Sequence, residues 1–377
     1  ITASNKTYNG NTTATTDVTS AVYTGLVVGD LVSVAATGTF DNKNVGTGKT
    51  VTLSSSYSGD DRNNYSITDQ GSTTANISAK ALTLSGLSAD NKVYDGGTVA
   101  TISSYGSLSG IETGDTVTLN SSSADPDFDN KNVGTDKDVT VQSLALAGTD
   151  AGNYSIGNQT TTANITAKAL TLSGLTANNK VYNGNTVATI SSYGSLSGIE
   201  TGDTVTLNSS SADPDFDNKN VGTDKDVTVQ SLALAGTDAG NYSIGNQTTT
   251  ANITAKSISS LTLSASNKTY DGNTTASVSV SSSDIIAGDT VTLSNSAVFN
   301  TRHVATGKAV TVSSISISGG TDSGNYTLAT TSGSTTANIT QLASVTWNGN
   351  AGDGLWSTAG NWVGSALPDK NNVAAVV

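Results

Sequence analysis

Apolar and polar residues alternate along this chain in short runs. Residues 81–168 show the pattern in full: Leu82-Thr83-Leu84, Val99 to Ile102, Thr116-Val117-Thr118-Leu119, Val139/Val141, Leu144/Leu146, Tyr154/Ile156 and Thr162 to Ile165. A period of two places every second side chain on one face, as in a half-buried strand. Val139/Val141 and Leu144/Leu146 differ in parity, so a bulge near Gln142-Ser143 is required if both pairs are to face one core. Val310/Val312 and Ile315/Ile317 make the same switch. No segment of useful length carries a 3.6-residue apolar period, which predicts no substantial helix. Six or seven short strands per module, separated by turn residues, predict an all-β antiparallel sandwich of immunoglobulin-like size.

The pattern repeats. Asn5-Lys6-Thr7-Tyr8-Asn9-Gly10 returns from Asn91, Asn179 and Asn267, in steps of 86, 88 and 88 residues. Gly-Asp recurs at 29–30, 114–115, 202–203 and 288–289. Phe40-Asp41-Asn42-Lys43-Asn44-Val45 recurs from Phe128 and Phe216, and is blurred from Phe299. Asn-Tyr recurs at 64–65, 153–154, 241–242 and 325–326, and each module closes on Thr-Thr-Ala-Asn-Ile. Markers that keep order and spacing define a tandem array. Its modules are 1–80, 81–168, 169–256 and 257–341, followed by a Trp-rich segment of a different architecture at 342–377. The two central modules differ at only four positions, 88/176, 90/178, 95/183 and 97/185. The Ala-Leu-Thr-Leu-Ser-Gly opening of modules 2 and 3 has no counterpart ahead of Ile1, so module 1 reads as N-terminally truncated and the chain as an internal fragment. Asn372 to Val377 read as a rising strand. The junction Ala163 to Leu172 holds neither Gly nor Pro, which predicts strands running almost directly from module to module and a stiff, elongated rod, unlike a Gly/Ser linker.

Composition narrows the function. Net charge is −13 and charged residues are only 12% of the chain, with most of the excess on the central modules. An acidic array repels phosphate backbones, which excludes nucleic acid as a partner. No apolar run reaches the ~20 residues of a membrane-spanning helix, so no membrane insertion is expected. Cys and Met are absent, and with Cys go disulfides and thiolate chemistry. His303 is the single histidine and stands where sister modules carry Asn44, Asn132 and Asn220. A Ser–His–Asp arrangement would therefore exist in one module at most, and the chain is not expected to be an enzyme.

The most specific motif is Asn-Lys-x-Tyr-(Asp/Asn)-Gly. Asp or Asn before Gly supplies the torsions of a tight turn, and a tyrosine ring beside it covers a core edge. Asp95 and Asp271 exchange with Asn9 and Asn183, which keeps the turn and drops the charge. Tyr8, Tyr94, Tyr182 and Tyr270, with Gly10, Gly96, Gly184 and Gly272, are thus read as a structural signature. Lys92, Tyr94, Asp95 and Gly96 and their counterparts resemble the YDG-type (MBG-like) repeats of large bacterial surface proteins, many of them adhesins resembling filamentous haemagglutinin and exported by two-partner secretion. The resemblance spans residues 1–341, with Tyr-Asn-Gly in two modules as a mild departure. It implies an extracellular or cell-surface location and a spacer role.

Two features lie outside the signature. Trp347, Trp356 and Trp362, the three tryptophans of the chain, form a pattern similar to a segment of autotransporter and haemagglutinin-like passengers. Indoles bury large areas, so a packed cap is favoured over sugar stacking. Asp125, Asp127, Asp129 and Asp136, repeated as Asp213, Asp215, Asp217 and Asp224, partly match a calcium loop. The match fails where Asn130 replaces the turn glycine and aspartate replaces the bidentate glutamate; these are the only metal candidates, and no other cofactor is expected. The expected function is a stalk in a secreted bacterial adhesin or matrix fibre, partnered chiefly by other parts of the same long chain. The alternative is a multivalent array binding glycan or neighbouring fibres weakly.

Overall fold

The computed structural model describes residues 1–365 and 367–368. The strand expected over Asn372 to Val377 lies outside the described residues. Among the described residues the chain is all-β, with helical geometry confined to single three-residue 3-10 turns such as Ala151–Asn153. It divides into two compact units: Ile1–Ala169 with Gly198–Val205 and Ala235–Ser243, and Leu170–Ser197 with Thr206–Leu234 and Ile244–Val377.

In the first unit, module 1 is built on a five-stranded sheet in the order Lys6–Thr7, Ser72–Ser78, Gly46–Ser58, Ser33–Phe40, Thr13–Ala14. Module 2 repeats four of these strands as Lys92–Val93, Gln159–Thr166, Gly134–Gln142 and Asp125–Phe128. Opposite lies Lys80–Ser85, flanked by Ser107–Ser109 and Tyr154–Ile156. Antiparallel ladders dominate, as expected of the sandwich. The sheets are nonetheless mixed: Lys92 runs parallel to Ile165, and Tyr154 parallel to Lys80. The parallel partners are 73 and 74 residues apart in sequence, which leaves ample chain for the crossover such a pair requires. The closing strand Ser72–Ser78 and the opening strand Lys80–Ser85 are separated by Ala79 alone.

Alternation sets the core. Val139 and Val141 are fully buried, with Phe128, Ala163 and Ile165 from the flanking strands also buried. The parity switch is present, and its device is a left-handed residue. Ser143 has φ +57° and ends Gly134–Gln142, after which Ala145–Ala147 pairs with Thr118–Asn120 instead. In module 4, in the second unit, Ser314 (φ +53°) makes the same switch inside one continuous strand, Ala305–Gly319, whose register with Thr292–Phe299 shifts between Ser294 and Ser296. The strand expected from Val99 to Ile102 is shorter, with Val99 making a single bridge to Asp127 and the ladder beginning at Ile102.

Gly106 is among the glycines required by close approach. Gly106 has φ +64°, and a Cβ there would sit 2.0 Å from the Ser85 carbonyl oxygen. A Gly106→Ala substitution must therefore open the break between Ile102–Ser104 and Ser107–Ser109, where the chain passes over Ser85. Strain of this kind costs about 2 kcal/mol or more, read as a lowered urea midpoint of the whole chain.

Candidate functional site: the joint between modules

The signature turn is built locally. Lys92–Val93 pairs with the end of Gln159–Thr166, and the Tyr94 amide donates to the Thr166 carbonyl at 2.9 Å. Asp95 accepts from the Gly97 amide at 3.0 Å and from Lys92 Nζ at 2.8 Å. The same ammonium donates to the Gly97 and Val99 carbonyls and lies 5.6 Å from the centre of the Phe128 ring. Lysine thus ties the loop together, and Asn9 does for Lys6 what Asp95 does for Lys92. The expected turn is there. Its purpose extends further, because the tyrosine it carries reaches into the next module.

Tyr8 is 1% exposed, and its hydroxyl donates to Asp115 Oδ2 of module 2 at 2.6 Å. Tyr154 of module 2 donates to the same oxygen at 2.7 Å, and Lys43 of module 1 donates to Oδ1 at 2.5 Å. The two rings meet edge to face at 5.2 Å, the geometry the aromatic quadrupole favours. Around them the Val45 amide donates to Asn153 Oδ1, and Asn153 Nδ2 donates to Asn44 Oδ1. The carboxylate of Asp115 is 2% exposed on its side chain, and Tyr8, Tyr154 and Lys43 supply the donors that a buried charge needs.

The joint recurs. Within the same unit, Tyr94, Tyr242 and Lys131 converge on Asp203 at 2.6, 2.7 and 2.7 Å. In the second unit, Tyr182, Tyr326 and Lys219 converge on Asp289 at 2.8, 2.6 and 2.9 Å. The ring pairs keep edge-to-face angles of 74° and 73°. Apolar packing is shared as well: Tyr8, Phe40 and Val51 of module 1 form one core with Leu82, Val117 and Tyr154 of module 2. Ile258 and Tyr326 of module 4 likewise join Tyr182, Phe216 and Val227 of module 3. The signature glycines sit against the neighbour too. A Cβ on Gly10 would be 3.4 Å from Glu112, and one on Gly184 would be 3.2 Å from Ile286.

Electrostatics follow from this geometry. Burial pushes the Asp115 carboxyl upward, but the donors from Lys43, Tyr8 and Tyr154 outweigh it and hold it down at about 2. Hydrogen bonds from Lys131, Tyr94 and Tyr242 hold Asp203 at about 2. Burial, then the hydrogen bond to Asp115, pushes Tyr154 up to about 12, and Tyr242 and Tyr326 follow in the same way. Hydrogen bonds to Asp115 and Tyr8 raise Lys43. A depressed carboxyl stabilises the fold above its unfolded value near 4 and loses that contribution as pH falls through its folded value. The urea midpoint should therefore drop between pH 4 and pH 2, and Asp115→Asn with Asp203→Asn should weaken that dependence, leaving the share of Asp289, which is lowered by the same kind of donors. Raised tyrosines and lysines act in the opposite sense, so a second loss is expected between about pH 10 and pH 12.

The acidic candidates for calcium lie elsewhere. Asp125 and Asp127 are on the edge strand Asp125–Phe128, where Pro126 is tolerated. Asp127 accepts from the Thr98 hydroxyl, Asp129 pairs with Lys137 at 2.7 Å, and Asp136 (φ +49°) offers its amide to Asn164. Asp213, Asp215, Asp217 and Asp224 repeat this, with Asp217 paired to Lys225. Among the described residues no group of three or more His, Cys, Asp or Glu side chains is placed to hold a metal. The tail packs its tryptophans together: Trp362 is 1% exposed, Trp347 and Trp356 lie 4.9 and 4.8 Å from it, and Trp356 remains 63% exposed. Asn361 there is fully buried and bound to Asp353 and Leu355. In module 4, Tyr270 is buried in its own core, and Gly272 lies near the Ser365 carbonyl.

The Gly-Asp and Asn-Tyr markers and the lysine of the Phe-Asp-Asn-Lys motif were visible in the sequence as repeats, but not as one site. Their common spacing from module to module was the available signal. A comparison with curated proteins finds no match. Among solved structures the chain is similar to Drosophila N-cadherin fragments. These are EC1-4, at 8% identity over 90% of this chain and 99% of that one (TM-score 0.18), and EC1-3, at 11% over 70% and 98% (TM-score 0.15). At such scores they carry no argument. The profile of the YDG domain matches residues 1–75, 78–163, 166–251 and 254–337.

Proposed function

The chain belongs to the YDG-domain family, and from that premise we propose that it is a structural spacer of a large secreted bacterial surface protein, holding a binding region away from the cell. One observation carries this reading: Tyr8, Tyr94 and Tyr182 direct their hydroxyls at a buried aspartate of the following module rather than at solvent. Asp115, Asp203 and Asp289 are buried and fully engaged in joining modules. A carboxylate held this way is unsuited to take up a ligand, and well suited to resist bending where two modules meet. The near-absence of a linker, with Ala79 alone between consecutive strands, works in the same direction. An acidic, disulfide-free surface keeps such an array soluble outside the cell.

The test pairs two measurements on the intact chain. Small-angle scattering should show a particle whose maximum dimension is unchanged by salt, and a glycan array should show no saturable binding. Saturable binding that grows with module number would replace this reading with the multivalent one.

A further inference from the structure

In three modules the signature lysine holds the residue that precedes the signature glycine. Lys92 and Lys268 donate to Asp95 and Asp271, each at 2.8 Å, and Lys6 donates to Asn9 Oδ1 at 2.8 Å. Module 3 differs. Lys180 donates to the Asn185 carbonyl at 2.8 Å, to Asn185 Oδ1 at 3.1 Å and to the Val187 carbonyl at 2.9 Å. Among the described residues, no hydrogen bond joins it to Asn183. The exposed Asn183 side chain accepts only from the Asn185 amide, at 3.4 Å. In modules 1 and 3, where the carboxylate is missing, burial pushes the Lys6 and Lys180 ammonium groups below their ordinary value. Module 2, near-identical to module 3, carries Asp95 at this place.

Asn183 also stands before an available nucleophile. Gly184 has φ +82° and no side chain to crowd its nitrogen. Among the described residues, no hydrogen bond engages the Gly184 amide. The chain has two other Asn-Gly pairs, at 9–10 and 348–349. Asn9 is pinned by Lys6. The Gly349 amide donates to the Asn361 carbonyl at 3.2 Å, and Asn348 Oδ1 accepts from the Asn350 amide at 3.0 Å. Of the three pairs, only Asn183-Gly184 combines a loosely held side chain with an unengaged glycine amide.

We propose that Asn183-Gly184 is a self-modification site, at which Asn183 deamidates to aspartate. The Gly184 nitrogen attacks Asn183 Cγ and closes a cyclic imide. The Cγ–Nδ2 bond breaks, and ammonia leaves with the proton the glycine nitrogen gave up. Water then adds at Cγ and breaks the new N–Cγ bond, which restores the Gly184 amide and leaves a carboxylate. Opening at the main-chain carbonyl instead would give isoaspartate, with an added methylene in the backbone. The joint opposes that, because Tyr182 is anchored on Asp289 and a Cβ on Gly184 would already lie 3.2 Å from Ile286. The aspartate product supplies Lys180 with the partner that Lys92 has in Asp95. This goes beyond the spacer reading, which stands whether or not Asn183 is converted.

The test incubates the full chain at mildly alkaline pH, which favours loss of the glycine proton, and follows the fragment masses of its peptides with time. The amide-to-acid mass shift should accumulate at Asn183 roughly fivefold faster than at Asn9 or Asn348, about the factor that one net hydrogen bond supplies. The product should match the Asn183→Asp chain in fragmentation and retention. The Asn183→Gln chain, whose longer side chain closes the ring poorly, should show no shift there. An unchanged mass at Asn183, a shift as fast at Asn9 or Asn348, or isoaspartate as the product would overturn the proposal.

Discussion

Replacing Asp115 by alanine should lower the stability of the chain by about 3 kcal/mol, because it removes the shared acceptor of a buried charged cluster. Three groups lose their acceptor at once: Tyr8, Tyr154 and Lys43. Two of them belong to module 1, although the substitution is in module 2. The expected signature is loss of stability in both modules, measured by urea unfolding. Asp115→Asn should cost less, since an amide oxygen still accepts from one tyrosine, and exposed Asp60 replaced by alanine should cost almost nothing.

Tyr154→Ala should be at least as damaging, at about 3 to 4 kcal/mol, the usual cost of deleting a large buried ring. The ring is 6% exposed and packs edge to face on Tyr8 inside the core the two modules share. Its hydroxyl also accepts from the Glu112 amide at 2.9 Å, which would be left without that partner. Tyr154→Phe keeps the ring and loses only the hydrogen bonds, so it should cost about 1 to 2 kcal/mol. The difference between the two variants separates packing from hydrogen bonding at the joint, and calorimetry of the intact chain measures both.

The repeat and its strands were legible because alternation is a local property. Val139/Val141 against Leu144/Leu146 even announced the parity switch that Ser143 makes with a left-handed backbone. The joint was not legible in the same way. Tyr8 meets Asp115 across 107 residues, and nothing in the order of the markers says which faces meet. Tyr8 read as a lid on its own module's core, and it is that as well as the first contact to the next. The partners of the aspartates at 125, 127 and 129 were not legible either: Asp127 accepts from Thr98, and Asp129 pairs with Lys137. The parallel pair between Tyr154–Ile156 and Lys80–Ser85 was equally hidden, since its partners lie 74 residues apart.

The central claim is that the signature residues make neighbouring modules fold as one. Native-state hydrogen exchange tests it most directly. In the full chain carrying Asp115→Ala, the account predicts that the slowly exchanging amides of Val51 and Ile77, in the core of module 1, lose protection along with those of Val139 and Ile165 in module 2. Protection at Val51 and Ile77 that stays unchanged while Val139 and Ile165 weaken would contradict it.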